Sequence, residues 1–249
     1  MRILGIDTAI PTASVALVED GELLIEEIQA GPGGCDDHRH GPVGNHAAVL
    51  LPLLQLLFEK AQIPPNDLSG LSISIGPGSF TGLRIGLATA KGMAYESNLP
   101  LVGVSTLHAN AARVRNFEGV IGSMVDARKG EVYLAFFCSH QKNITRLTPD
   151  AVLSLRSAID LVREYQKDSG SALLIGSGAQ AYEIELSESL GPSVRLSTDG
   201  DSSVAAQVAL LACERFASGA FDDVGTLAPV YLRASEAETK RERFDRVFE

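Results

Sequence analysis

A glycine-rich segment has the residue types that a phosphate-binding turn requires. Residues 76–86 read Gly-Pro-Gly-Ser-Phe-Thr-Gly-Leu-Arg-Ile-Gly and lie between a β-branched apolar run and a helical pattern. Glycine permits positive φ and close backbone approach, and the free N–H groups of a helix start can bind an anion. The segment has neither the Gly-Lys-Ser/Thr ending of a P-loop nor the dinucleotide spacing, so a tight turn with packing glycines is the alternative. The phosphate-binding candidates are Gly76, Gly78, Ser79, Thr81 and Arg84.

Two aspartates each end an apolar run, within a sequence pattern that occurs twice in the chain. Asp7 and Asp126 each close a strand-like run and precede a turn into a second run. The repetition predicts an internal duplication of a lobe, with a cleft where both carboxylates meet. They are candidates for organising a metal and phosphates in that cleft, and capping of turns at strand ends is the alternative. A Gly-Ser-Gly turn at 176–178 is a weak candidate for lining an adenosine site.

The remaining residues predict neither a nucleophile nor a metal site. A serine or threonine on the glycine-rich turn would need a neighbouring base, and the sequence places none beside it. The Gly/His-rich stretch 31–44 holds Cys35, His38 and His40, but its glycines and prolines do not provide the fixed frame that zinc prefers. His108 stands alone on a helical stretch. We therefore expect no catalytic residue and no metal.

Strand and helix patterns around these residues alternate in two similar halves. The first half is predicted to contain strands at 3–6, 14–18, 23–28, 71–75 and 101–104, with helices at 45–58 and 82–97. The second is predicted to contain strands at 120–125, 131–137, 143–147 and 172–175, with helices near 155–166 and 203–217. The pattern predicts an α/β fold of two lobes, residues 1–105 and 106–249. Each has a mixed sheet flanked by helices, and the last helix is able to pack back on the first lobe.

Composition limits the class of protein. The 249 residues are 45% hydrophobic and 21% charged, which is typical of a globular chain. The formal net charge of −10 excludes a basic face that would hold nucleic acid without a partner. Three separated cysteines and an aspartate at position 7 favour a cytoplasmic protein with no disulfide framework and no membrane span.

The helix predicted from Asn45 to Phe58 is apolar around most of its circumference. Between Val49 and Phe58 only Gln55 is polar, so the helix needs a second surface beyond its own sheet. The next helix carries small residues at 82, 86 and 90, which permit close helix packing. Burial of the leucines within their own lobe is the alternative.

Five motifs together resemble those of the TsaB (YeaZ) family. They occur in the same order as in the family and span nearly the full length of the chain. They are Gly5-Ile6-Asp7-Thr8-Ala9, the 76–86 string, residues 100–107 (Pro-Leu-Val-Gly-Val-Ser-Thr-Leu), residues 126–133 (Asp-Ala-Arg-Lys-Gly-Glu-Val-Tyr) and residues 229–233 (Pro-Val-Tyr-Leu-Arg). The resemblance implies a duplicated fold of the actin, Hsp70 and sugar-kinase (ASKHA) class. It also implies a noncatalytic subunit of the bacterial machinery that places threonylcarbamoyl on N6 of adenosine 37 in tRNAs reading ANN codons.

The same resemblance implies the partners and the surface that binds them. TsaD, the transferase, would dock on the first-lobe helices as a heterodimer. TsaE would be a third member, tRNA would bind only through the complex, and the isolated chain would form a homodimer. No cofactor would be required, although ATP or ADP can bind at the junction of the complex. The expected TsaD-binding residues are Leu50, Leu51, Leu54, Leu57, Phe58, Gly82, Ile85, Gly86, Thr89 and Ala90.

The transferase relative carries a metal-binding histidine pair where this sequence has Thr106 and Asn110, which supports the expectation of no metal. The alternative function from another class is a nucleotide-binding phosphotransferase or ATPase. It would work in the interlobe cleft with Asp7, Asp126 and the glycine-rich turn.

Overall fold

The computed structural model describes residues 1–29, 46–114, 116–141, 143–197 and 203–233. The first lobe contains, in chain order, β1 (Arg2–Asp7), β2 (Ala13–Glu19), β3 (Glu22–Gln29), α1 (His46–Ala61), β4 (Gly70–Gly76), α2 (Phe80–Ser97) and β5 (Leu101–Ser105). A one-turn 3-10 helix, Pro65–Asp67, precedes β4. The five strands form one sheet with the order β3-β2-β1-β4-β5.

The second lobe repeats this order. After a short connecting helix α3 (Thr106–Ala112) come β6 (Gly119–Arg128), β7 (Glu131–His140), β8 (Asn143–Arg146), β9 (Ala151–Ser154), α4 (Leu155–Ser169), β10 (Ala172–Ile175), α5 (Ser177–Ala181), α6 (Glu183–Leu190), β11 (Val194–Leu196) and α7 (Ala205–Ser218). The main sheet has the order β11-β10-β6-β7-β8, and β9 pairs with β7. Strands at corresponding places in the two sheets occur in the same order along the chain. The two sheets therefore have the same topology, as expected for a duplication.

Local sequence explains why these strands form. β1 and β4 run parallel at the centre of their sheet and bury nearly every side chain, so they read as continuous apolar runs. The hairpin of β2 and β3 closes on Asp20 and Gly21, with φ of 50° and 84°. Two residues with positive φ match the twist of the flanking strands, which is why an Asp-Gly pair predicts such a hairpin.

Helices α3 and α7 contact each other between the two sheets. Although it follows the second lobe, α7 packs on the first sheet, where Val208 and Phe216 join Ile3, Val18 and Val102 in one buried cluster. The approach is close, because a Cβ added at Gly5 of β1 would lie 2.2 Å from the carbonyl oxygen of Ala205. On the second sheet, α3 adds Leu107 and Ala111 to a cluster with Phe137.

Several short elements differ from the sequence prediction. The Gly-Ser-Gly turn at 176–178 is instead the start of α5, since Gly176 at φ 95° redirects the chain and Ser177 begins the helix. The short elements β9, β11 and α6 are missed, because three to eight residues carry too little periodicity. Among the described residues, no helix is long and apolar enough to cross a bilayer.

The glycines of α2 differ in what they face. A Cβ added at Gly82 would lie 2.0 Å from the carbonyl oxygen of Thr8, and one at Gly86 would lie 2.2 Å from the Thr8 hydroxyl. A Cβ added at Gly92 meets nothing within 4 Å. Gly82 therefore permits contact with the backbone of Thr8 and Gly86 contact with its side chain, whereas Gly92 faces outward.

Substituting these glycines should change stability in opposite directions. We expect Gly82→Ala to lower the free energy of unfolding by about 1–3 kcal/mol, because a backbone carbonyl blocks the new methyl group. Gly92→Ala should raise it by about 0.5–1 kcal/mol, since alanine loses less backbone entropy in a helix. Urea denaturation followed by circular dichroism measures both. A Gly82→Ala protein as stable as the wild type would contradict the close contact.

Candidate functional site

The glycine-rich turn is closed against the lobe's own first loop. The Ser79 N–H donates to the carbonyl oxygen of Ala9 at 2.7 Å, and a Cβ added at Gly78 would lie 2.3 Å from that same oxygen. The Ser79 hydroxyl caps α2 by accepting from the Gly82 N–H at 3.1 Å. The space under the turn is filled by backbone, so these glycines serve close packing, as in the alternative interpretation of the motif.

Two other predicted phosphate ligands of the turn, Thr81 and Arg84, lie on the exposed side of α2. The Arg84 guanidinium lies 3.7 Å from the centre of the Phe80 ring and donates from Nε to the Tyr231 hydroxyl at 2.9 Å. These contacts hold Arg84 against the C-terminal part of the chain. Gly76, with φ of 113°, places its α-carbon against the backbone of Val230.

The two aspartates make the same local hydrogen bond. Asp7 is fully buried, and its Oδ1 accepts from the N–H of Ala9 at 3.3 Å. Asp126 is partly exposed, and its Oδ1 accepts from the N–H of Arg128 at 2.8 Å. A carboxylate bonded to the N–H two residues ahead forms an Asx turn. Both lobes therefore use their aspartate to shape the turn after the first strand.

Thr106 and Asn110, at which the sequence predicts no metal ligand, are packed side chains. Thr106 is fully buried, and the Asn110 amide donates to the Ser123 hydroxyl at 3.2 Å and accepts from Arg113 at 3.0 Å. His108 stacks on Phe137 with ring centres 5.3 Å apart. Within the described part of the chain, no group of three or more His, Cys, Asp or Glu is placed to hold a metal. The Gly/His-rich loop 31–44 lies outside the described residues.

Six of the ten predicted partner-binding residues face the interior of the first lobe. The reason is that α1 and α2 lie side by side on the sheet, so every third or fourth residue of each helix points into the core. The expectation that their side chains form a docking surface is therefore corrected. The buried six are Leu50, Leu54, Leu57, Gly82, Gly86 and Ala90.

The outward side of α1 and α2 nevertheless carries several apolar residues, beside polar ones such as Gln55, Glu59 and Arg84. Leu51 is 62% exposed, Leu56 is also exposed, and Phe58, Ile85 and Thr89 are half-buried at the edge of the core. We call the exposed apolar and small residues the outer helical face. Its members are Ala47, Ala48, Leu51, Pro52 and Leu56 of α1, and Ala88, Gly92 and Tyr95 of α2.

Of the eight residues of this face, Leu51 alone is among the predicted partner-binding residues, and one of those missed is Tyr95 of α2. Its side chain is 87% exposed near the end of α2, beside a shallow depression lined by Gly92, Val224 and Gly225. The signal was present as a stripe at 88, 92 and 95, one helical turn apart. It was hidden by the second stripe at 82, 86 and 90, which looked equally suited to packing.

The second lobe supplies an internal comparison for this surface. Its helix α4 occupies the position that α1 occupies in the first lobe. Both helices bury one side against their sheet. The exposed side of α4 is charged and carries Arg156, Asp160, Arg163, Glu164 and Lys167. Because the helix at the same fold position exposes mainly charged residues in the second lobe, the exposed apolar residues of α1 are not a requirement of the fold.

Comparisons with known proteins agree with this architecture. The family model TsaD, described as tRNA N6-adenosine threonylcarbamoyltransferase, matches residues 43–240. The tRNA threonylcarbamoyladenosine biosynthesis protein TsaB of Escherichia coli is 35% identical over 246 residues, covering 96% of this chain and 98% of that protein. A Pseudomonas aeruginosa protein described as similar to peptidase YeaZ has a TM-score of 0.74 at 25% identity, covering 93% of this chain and 99% of that one.

ROK hexokinase from Thermus thermophilus has a TM-score of 0.50 at 13% identity and covers 88% of this chain and 100% of its own, which concerns the fold alone. The predicted fold class, a duplicated α/β fold of the actin and sugar-kinase type, is confirmed.

Stability should fall as the pH drops below about 6.5, because His46 is buried and His108 half-buried. Burial lowers the pKa of both imidazoles; Arg146 lowers that of His108 further, and Asp150 opposes this. The unfolded chain therefore binds protons on these imidazoles more readily than the folded chain does. The contribution of the neutral imidazoles to the free energy of unfolding is fully present above their pKa in the unfolded chain, and it is lost as the pH falls toward their pKa in the folded chain. Urea denaturation at pH 7.5 and 5.5 should give the lower free energy at 5.5, and His108→Gln should reduce the difference. A higher value at pH 5.5 would contradict this.

Proposed function

We propose that this chain, which belongs to the TsaB (YeaZ) family, is a noncatalytic subunit. In this proposal it binds a TsaD-type transferase and stabilises the active form of that enzyme. The reaction served is threonylcarbamoyl transfer to adenosine in tRNA, which is the biosynthesis named for the relatives. The observation that carries the proposal is the outer helical face. Exposed apolar side chains in this density mark a surface that another protein covers.

The partner is proposed to pack its own equivalent helices on this face. This chain matches the TsaD family model over residues 43–240, so the proposed partner shares the helix pair that follows the third and fourth strands. Two such pairs facing each other form a four-helix layer with apolar residues at the centre. Leu51 and Leu56 lie on one helix of this layer, and Ala88 and Gly92 permit close approach on the other. The same face accounts for the expected homodimer of the isolated chain.

The noncatalytic assignment rests on how the cleft residues are engaged. Asp7 and Asp126 shape Asx turns, and the glycine-rich turn rests on its own first loop. These contacts do not favour the alternative, a phosphotransferase or ATPase of the interlobe cleft. ATP or ADP binding at the junction of the complex and the contact with TsaE stay predictions. With a net charge of −10, tRNA binding is proposed to depend on the partner subunits.

A charge on the outer helical face should prevent binding without unfolding the chain. We expect Leu51→Glu to weaken the complex with TsaD at least 100-fold, because a carboxylate would be buried at the centre of an interface without a partner. The matched control is Ile184→Glu on α6 of the second lobe, where the side chain is 70% exposed, similar to Leu51 at 62%. Analytical ultracentrifugation of each variant with TsaD measures binding, and circular dichroism verifies the fold.

The activity readout separates this proposal from the enzymatic alternative. Modified adenosine is measured in a reconstituted reaction with tRNA, with each subunit omitted in turn. Leu51→Glu should reduce it with the loss of the complex, whereas Ile184→Glu and Asp126→Asn should retain it. Loss of activity in Asp126→Asn with an intact heterodimer would overturn the noncatalytic assignment, and unchanged binding by Leu51→Glu would overturn the assigned surface.

A further inference from the structure

The last described segment, residues 219–233, crosses from one lobe to the other, and we call it the strap. It begins at the free edge of the first sheet, where the Asp222 N–H donates to the carbonyl oxygen of Leu101 at 2.9 Å. The Asp222 carboxylate also accepts from the N–H of Gly103 at 2.7 Å and pairs with Arg215 at 2.9 Å. The strap is therefore fixed to the outer strand β5.

Val230 and Tyr231, near the end of the strap, contact the end of β4 and the start of α2. The Val230 N–H donates to the carbonyl oxygen of Ile75 at 2.7 Å, immediately before the glycine-rich turn. The Tyr231 ring then packs against the Phe80 ring at a tilt of 36°, with ring centres 4.9 Å apart, and its hydroxyl accepts from Arg84 at 2.9 Å. Both ring and hydroxyl of Tyr231 thus contact the first two turns of α2.

Two residues later the strap reaches the second lobe. Nη1 of Arg233 donates to the carbonyl oxygen of Ala127 and to Oε2 of Glu131, each at 3.0 Å. These acceptors lie at the hairpin of β6 and β7, directly after Asp126. Tyr231 and Arg233 are two residues apart, so a short stretch of backbone joins the start of α2 to the β6–β7 hairpin of the other lobe.

A second polar tie joins the lobes at the end of β5. The Ser105 hydroxyl donates to Oδ2 of Asp150 at 2.8 Å and accepts from Nη2 of Arg146 at 3.0 Å. Arg146 also pairs with Asp150 and lies over the Phe137 ring. Ser105 belongs to the first sheet, whereas Arg146 ends β8 of the second sheet and Asp150 lies in the connection that follows it.

We propose that the strap is a latch that holds the two lobes in one arrangement and orders the first turns of α2, with Arg233 as the residue that closes it. The latch is a property of the isolated chain, so it does not depend on the proposed function. The Arg233 pair is partly exposed and its strength is modest. One exposed ion pair and one charge-assisted hydrogen bond correspond to an effect of roughly tenfold on local opening.

Hydrogen exchange of the full chain without any partner tests the latch across the lobe boundary. Arg233→Ala removes the contact with the second lobe and should speed exchange roughly tenfold in residues 76–84 of the first lobe. Tyr231→Ala removes the contact with α2 and should speed exchange in residues 125–133 of the second lobe. Each substitution is thus measured on the lobe that it does not touch, which a local loss of packing would not affect.

Arg163→Ala is the matched control, because Arg163 also donates to a carboxylate and to a carbonyl oxygen, but within the second lobe. It should leave exchange in residues 76–84 unchanged. If Arg233→Ala does not fold, Arg233→Gln, which keeps one donor group, replaces it and should show a smaller increase. Unchanged exchange in the opposite lobe for both strap variants, or an equal increase in the control, would overturn the latch.

Discussion

Direct contact between α2 and the loop after β1 determines which side of α2 faces outward, and with it the surface that we propose as the binding site. No side chain fits between Gly82 and the backbone of Thr8, so α2 can lie on the sheet in only one rotation. That rotation turns Gly86 and Ala90 inward and leaves Ala88, Gly92 and Tyr95 outward. The same contact closes the glycine-rich turn on its own lobe. One steric constraint thus packs the glycine-rich turn against the loop after β1 and determines which side of α2 is exposed.

The duplication explains which features belong to the fold and which do not. Both lobes share strand order and an aspartate that forms an Asx turn, because these are needed to build the sheet and its first turn. The exposed sides of the outer helices are not needed to build the sheet, so their residues can differ between the lobes. The exposed side of α4 is charged, whereas that of α1 carries Leu51 and Leu56, so the lobes differ where the fold imposes nothing. The proposed binding function rests on that difference.

Sequence reasoning was most successful where one local rule determines the outcome. The Asp20-Gly21 hairpin follows from backbone conformation at two residues, and the central strands follow from continuous apolar runs. It was least successful for α5, α6, β9 and β11, which are too short for a periodic signal and form because neighbouring elements hold them. The predicted partner-binding residues combined half-buried Ile85 and exposed Leu51 with residues of the core, and they did not include Tyr95 of the outer helical face.

By itself the sequence determined the duplicated α/β class, the family and the excess of apolar residues on α1, because periodicity, turn chemistry and motifs are local properties of the chain. Only the tertiary structure decided which side of each helix is buried, since two stripes of small residues on α2 are equivalent until one meets the backbone of Thr8. It also decided that residues 219–233 join the lobes, because hydrogen bonds between residues more than 100 positions apart leave no pattern in the sequence.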